Sequence, residues 1–73
     1  MSRVEVKSEI PGSVVRIEVN VGDSVAEDDA IVMLESMKME IPVSAPLGGK
    51  IVEILVNEGE PIAEGQLVAV LET

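Results

Sequence analysis

Shifted by 37 positions against itself, the chain repeats: Gly12 through Glu35 aligns without a gap with Gly49 through Glu72, and ten of those 24 pairs are identical. The identities are Gly12/Gly49, Val15/Val52, Ile17/Ile54, Val19/Val56, Asn20/Asn57, Gly22/Gly59, Ala26/Ala63, Glu27/Glu64, Leu34/Leu71 and Glu35/Glu72. Other pairs, such as Val14/Ile51, Asp23/Glu60 and Val25/Ile62, keep shape or charge. Two copies are too few to bury a core by stacking as a solenoid does. The halves must instead cover each other, as two similar half-sheets about a pseudo-two-fold axis. Moving Met37 and Lys38 on by 37 lands just past Thr73. Lys38 thus corresponds to the gap between the termini. A two-fold gathers the termini at one end and projects Lys38 from the other.

Within each copy the apolar residues alternate. Val15, Ile17 and Val19 interleave with Val14, Arg16 and Glu18, and Val52, Ile54 and Val56 repeat the pattern; this period of two predicts a strand with one face buried, here the Val15/Ile17/Val19 face. Each run meets an Asn-x-Gly-acid step, Asn20-Val21-Gly22-Asp23 or Asn57-Glu58-Gly59-Glu60, where Asn and Gly tolerate positive φ. A short Val25 or Ile62 segment follows, then a turn at Ala26–Asp29 or Ala63–Gln66, then an apolar run, Ile31–Leu34 or Leu67–Leu71. No stretch keeps apolar residues at helical spacing, and β-branched residues dominate the runs, so no helix is expected. Short strands punctuated by Gly, Pro and Asn predict an all-β flattened barrel or sandwich. Pro42 and Pro61 lack an amide proton and belong at strand edges, strand starts or turns.

A chain of 73 residues makes one domain, 1–73, near the size where folding buries only about 60% of the unfolded surface. It contains no Phe, Tyr, Trp, His or Cys. The core is therefore aliphatic, and disulfides and Cys or His metal sites are excluded. The commonest general base and the strongest common nucleophile are missing too, so autonomous catalysis is not expected. Fourteen acidic residues against five basic ones give a net charge of −9, which repels phosphate backbones and anionic membranes. Neither nucleic acid nor a membrane is an expected partner. No segment approaches the roughly 20 apolar residues of a membrane span, and Ser2-Arg3-Val4-Glu5-Val6-Lys7 alternates charged and apolar residues where a secretory signal needs an unbroken apolar region. A cytoplasmic location is the expectation.

Between the copies lies Glu35-Ser36-Met37-Lys38-Met39-Glu40, and the reversal between the Ile31 strand and the strand ending near Ala45 must fall at Ser36–Met39. Tight two-residue hairpins favour Asn-Gly or Asp-Gly because their central residues often need positive φ. Met37-Lys38 contradicts that preference, and such local conflicts are expected where function overrides propensity. A primary amine at a hairpin tip can enter the active site of a separate acylating enzyme. An acyl cofactor on the ε-nitrogen would then move on a flexible arm, at an effective concentration of about the millimolar range near neighbouring sites. The alternative is a solvated surface lysine, the reading adopted for Lys7 and Lys50. Methionines are more often packing than recognition, but Met37 and Met39 flank a tip, where apolar exposure usually has a reason. Glu35 and Glu40 serve recognition or solubility equally well, and Gly22, Gly59, Asn20 and Asn57 are structural turn residues.

Met37-Lys38-Met39 within that hexapeptide, with Pro11-Gly12, the Gly-acid turns and Ala45-Pro46, resembles the biotinyl domains of biotin carboxyl carrier proteins, within the wider biotin/lipoyl attachment fold. The resemblance covers Val4 to Thr73. It implies a barrel-sandwich hybrid of two four-stranded antiparallel sheets, with Lys38 on a tight hairpin opposite the termini. It also implies biotin amide-linked to Lys38 by a biotin protein ligase, its ureido ring carrying carboxylate from a biotin carboxylase to a carboxyltransferase. Met37 and Met39 match the family's flanking methionines, and Glu35, Ser36 and Glu40 are candidates for recognition. Many members have Ala-Pro-Met ahead of Pro-Gly, where this chain has Ser8-Glu9-Ile10. The ungapped repeat leaves no space for the thumb loop of some acetyl-CoA carboxylase carriers, and no Ala/Pro-rich linker is present, so both a standalone carrier and a domain of a larger carboxylase fit. Other readings stay open: a lipoyl carrier for acyl transfer, whose lysine is usually flanked by Asp and a small residue, a dual biotin/lipoyl acceptor, and an unmodified module using the hairpin as a protein contact.

Overall fold

The computed structural model describes residues 2–73, which form strands and turns and no helix. The strands are β1 (Arg3–Lys7), β2 (Gly12–Ile17), β3 (Ser24–Val25), β4 (Ala30–Ser36), β5 (Met39–Ser44), β6 (Gly49–Ile54), β7 (Pro61–Ile62) and β8 (Leu67–Glu72). They make two four-stranded sheets, ordered β1-β8-β6-β3 and β5-β4-β2-β7, and every pairing is antiparallel. The two expected four-stranded sheets are present, in a body of 37 × 18 × 18 Å. Pro42 lies in the edge strand β5 and Pro61 opens the edge strand β7, where a missing amide proton breaks no ladder.

Adding 37 to each residue of the first half maps one sheet onto the other, pair by pair. Ser13↔Glu35, Val14↔Leu34, Arg16↔Met33 and Ile17↔Val32 on β2 and β4 become Lys50↔Glu72, Ile51↔Leu71, Glu53↔Val70 and Ile54↔Ala69 on β6 and β8. The turns obey the same rule: the Gly22 amide donates to the Ile51 carbonyl at 2.7 Å, and the Gly59 amide to the Val14 carbonyl at 2.7 Å. Both glycines have the positive φ expected of them, 99° and 86°. The repeat is therefore a two-fold that exchanges the sheets. Each sheet takes two central strands from one half and its two edge strands from the other.

One expectation is corrected. The residue buried in β2 is Val14, at 2% exposure, with Val15 only half-buried and Ile17 and Val19 packed partly against the core. The register of β2 slips between Val14 and Arg16, and that of β6 between Ile51 and Glu53. A bulge at Val15 and at Val52 reverses the alternation midway, so a period of two read through it assigns the wrong face to the strand's first half.

The core is aliphatic and shared. Val14, Ile31, Val32 and Leu34 from one half meet Ile51, Val68, Ala69 and Leu71 from the other, all nearly or fully excluded from solvent. Ser8, the one buried polar residue among the described residues, sits where the second half has Ala45. Its hydroxyl donates to the Ile10 carbonyl at 2.5 Å and accepts from the Ile10 amide at 3.3 Å, so the group is satisfied locally. Ile10 then packs partly against the core.

Among the glycines, Gly12 leaves the least room for a side chain: a Cβ there would sit 2.7 Å from the Glu35 backbone carbonyl oxygen, and at its counterpart Gly49 2.9 Å from that of Glu72. Gly12→Ala is expected to destabilise the fold by about 1–3 kcal/mol, as other forced overpacking does, lowering the melting temperature by about 4–8 °C per kcal/mol in a domain of this size. Gly48→Ala, whose Cβ would meet the Val25 carbonyl oxygen at 3.5 Å, is the control. Thermal unfolding with melting curves of the two variants superimposed would count against the close approach.

Candidate functional site

The β4–β5 hairpin is closed by Ser36↔Met39, leaving Met37 and Lys38 as a two-residue turn with φ of 53° and 64°. Two successive positive φ values mark a type I′ turn, which matches strand twist but suits Asn-Gly. Here both positions hold L-residues with long side chains. A non-glycine residue in the left-handed region costs of order 1–3 kcal/mol. Strain stored at one hairpin is a reason to look there for function.

The side chains at the turn face water. Met37 is 90% exposed and Met39 59%, so the methionines form an apolar collar around the lysine rather than core packing. Lys38 is exposed and enters no salt bridge among the described residues. Ser36 is half-buried. One pair below the turn, Glu35 faces Glu40 across the hairpin, both exposed. The hairpin thus brings the six singled-out residues onto one projection: a cation, an apolar collar and two acids at its base.

Arg16 was missing from that set. Its Nη2 donates to Glu40 Oε1 at 3.0 Å, and its Nε lies 3.5 Å from Glu18 Oε1. The hydrogen bond and charge of Glu40, with Glu18 adding less, hold the guanidinium pKa above its ordinary value. Arg16 precedes Glu40 by 24 residues, and only the strand order β5-β4-β2 brings the two together, so no local pattern signals the contact.

The tip lies outside a groove of about 490 Å³ where the edges of β1 and β5 approach. Glu5 through Ile10, Asp28 and Ile41 through Pro46 line it; Lys38 and its methionines do not. The lysine is therefore presented to other molecules rather than enclosed by its own chain.

A family model described as biotin-requiring enzyme matches residues 4–71, which includes both halves and the hairpin. The chain belongs to this biotin/lipoyl family. Among curated relatives, biotinylated protein TB7.3 of Mycobacterium tuberculosis is 54% identical over 41 residues, which are 56% of this chain and 58% of that protein. The chain therefore matches little more than half the length of that relative. Among solved structures, the Kluyveromyces lactis urea carboxylase superposes with a TM-score of 0.93 at 33% identity, over 99% of this chain and 6% of the other. The lipoyl domain of the 2-oxoglutarate dehydrogenase complex from Azotobacter vinelandii superposes with a TM-score of 0.77 at 29% identity, over 96% of each chain. The backbone of this biotin/lipoyl family member is thus similar both to part of a urea carboxylase and to a lipoyl domain. No helix among the described residues is long and apolar enough to cross a membrane.

Proposed function

We propose that this chain is a biotin carboxyl carrier domain, with biotin amide-linked to Lys38. The observation that carries the reading is the turn itself: an exposed lysine, in no salt bridge among the described residues, in a strained two-residue turn between two exposed methionines. When bound, biotin supplies a ureido nitrogen that accepts carboxylate at a biotin carboxylase and releases it at a carboxyltransferase. The chain's own residues present that group and perform no chemistry on it. Lys38 supplies the amine to a biotin protein ligase. Met37 and Met39 offer apolar surface to the ligase and to the two carboxylase sites, the kind of patch that marks an interaction site. Ser36, Glu35 and Glu40 frame it, and the β4–β5 ladder fixes the direction of the arm.

In the repeat this tip corresponds to the gap between the chain ends, and at those ends the Thr73 amide donates to the Ser2 carbonyl at 2.9 Å. A flanking tether or docked subunit at those ends would leave the arm free to move between sites, at effective concentrations of about the millimolar range. The net charge of −9 disfavours nucleic acid and anionic membranes as partners, in keeping with a cytoplasmic carrier. Lipoate on Lys38 is the second reading, favoured by the likeness to the lipoyl domain and opposed by Met37 and Met39.

The test is intact mass with peptide mapping after coexpression with a biotin ligase and, separately, with a lipoate ligase. One biotinyl group on Lys38 is expected. A lipoyl group alone would replace this reading with acyl transfer, and an unmodified chain from both would leave the hairpin as a protein contact.

A further inference from the structure

Glu35 and Glu40 are opposed across the hairpin, and like charges placed directly opposite on neighbouring strands repel. At the symmetry-related place the pair is Arg3 opposite Glu72, with nitrogen and oxygen 3.9 Å apart. Only at the lysine end does the pairing set acid against acid. The two-fold equivalent of Arg16 is Glu53, so the charge that answers Glu40 is inverted there as well. Two departures from the repeat, Glu40 for Arg3 and Arg16 for Glu53, meet in a single contact at 3.0 Å.

We propose that Arg16 is a positioning residue that holds the Glu40 carboxylate away from the Lys38 amine and so keeps that amine free to be acylated. The inference rests on Lys38 being an acyl acceptor, and not on which acyl group it receives. Acylation needs the neutral amine. Its lone pair attacks the activated acyl carbon and the C–N bond forms; the bond to the leaving group breaks with its electron pair, and one amine proton passes to a base. A carboxylate beside the ammonium favours the charged, unreactive form. The charged groups on the elements that carry and flank the tip are Glu35 on β4, Glu40 on β5, and Arg16 and Glu18 on and just after β2. Arg16 engages Glu40 and Glu18 together, so Glu35 is the one acid of this set left without a salt bridge among the described residues. Without Arg16, two free acids flank the base of the turn, separated from Lys38 by a residue or two on either arm.

The unmodified full chain is treated with the N-hydroxysuccinimide ester of acetic acid, and acetylation of Lys38 is measured by peptide mass against Lys50 in the same molecules. In Arg16→Gln the relative rate at Lys38 is expected to fall about threefold, the size of effect one added charge exerts at such separations in water. Its rate profile should also move to higher pH. Adding Glu40→Gln to Arg16→Gln should restore the wild-type rate and profile, and Arg16→Lys should keep most of both. A merely stabilising ion pair would change the melting temperature and leave the rate ratio and profile alone. An Arg16→Gln protein whose Lys38 reacts as in wild type, or a slowing that Glu40→Gln does not reverse, would overturn the proposal. Because the reagent is a small ester, the result stands or falls separately from any failure of a biotin ligase to modify the chain.

Discussion

Cut after Ala45, the chain is expected to yield two fragments, neither of which folds alone. The cut falls between β5 and β6 and looks benign in sequence, since each piece keeps one copy of the repeat. The pairing says otherwise. In the fragment of residues 1–45, β1 loses β8 and β3 loses β6, while β2 loses its edge partner β7. What remains is the sheet β5-β4-β2 with one apolar face open, because Ile51, Val56, Ile62, Val68, Ala69 and Leu71 have left with the other piece. The fragment of residues 46–73 is worse placed, with a single long pairing of β6 with β8, and isolated two-stranded pieces are marginal at best in water. A whole chain of 73 residues is already near the lower limit at which burial outweighs chain entropy. Proton spectra of each fragment should lack amide dispersion, and mixing the two should restore it, since the lost pairings all cross the cut. A dispersed, cooperatively melting spectrum from residues 1–45 alone would show that the interlock is not what holds the halves.

Much of this architecture was legible because the repeat carries both pattern and register. Once Gly12 is set against Gly49, the equivalence of β2 with β6 and of β4 with β8 follows, and the Asn-x-Gly-acid steps mark matching turns. The hairpin at Met37-Lys38 was legible as well, since only Ser36–Met39 can join the flanking strands. The phase of β2 was not. A bulge at Val15 shifts which side chains face inward, and nothing local distinguishes Val14-Val15 from an unbroken strand, because both residues suit either face. Ser8 was obscure for a related reason: a hydroxyl reads as a surface group until its local bonds to Ile10 remove the penalty of burial. The partnership of Arg16 with Glu40 depends on two strands meeting a third. Contacts of that kind are set by sheet order rather than by spacing along the chain, which is why Lys38 could be singled out from sequence and Arg16 could not.

Lys38→Arg is expected to abolish ligase-dependent modification completely while leaving the fold in place. Arginine keeps the positive charge and most of the length, so a loss of modification cannot be assigned to charge. What it lacks is a nucleophile: the guanidinium is delocalised and does not deprotonate in proteins, so no free lone pair meets the activated acyl group. Stability should change little. Both residues carry a Cβ and bear similar strain at a φ of 64°, and the side chain is exposed, so the change belongs with surface substitutions that usually fall within about 0.5 kcal/mol of wild type. The two lysines that remain should not take over. Lys7 closes β1 and lies 3.6 Å from Glu5, while Lys50 sits within β6 opposite Glu72; neither stands on a projecting turn that a ligase can enclose. Intact mass after coexpression with the biotin ligase should therefore show the unmodified chain, with a melting temperature like that of wild type. A biotinyl group recovered on Lys7 or Lys50 of the folded variant would mean that accessibility alone selects the acceptor. The strained turn, the methionine collar and the guarded amine would then need another purpose.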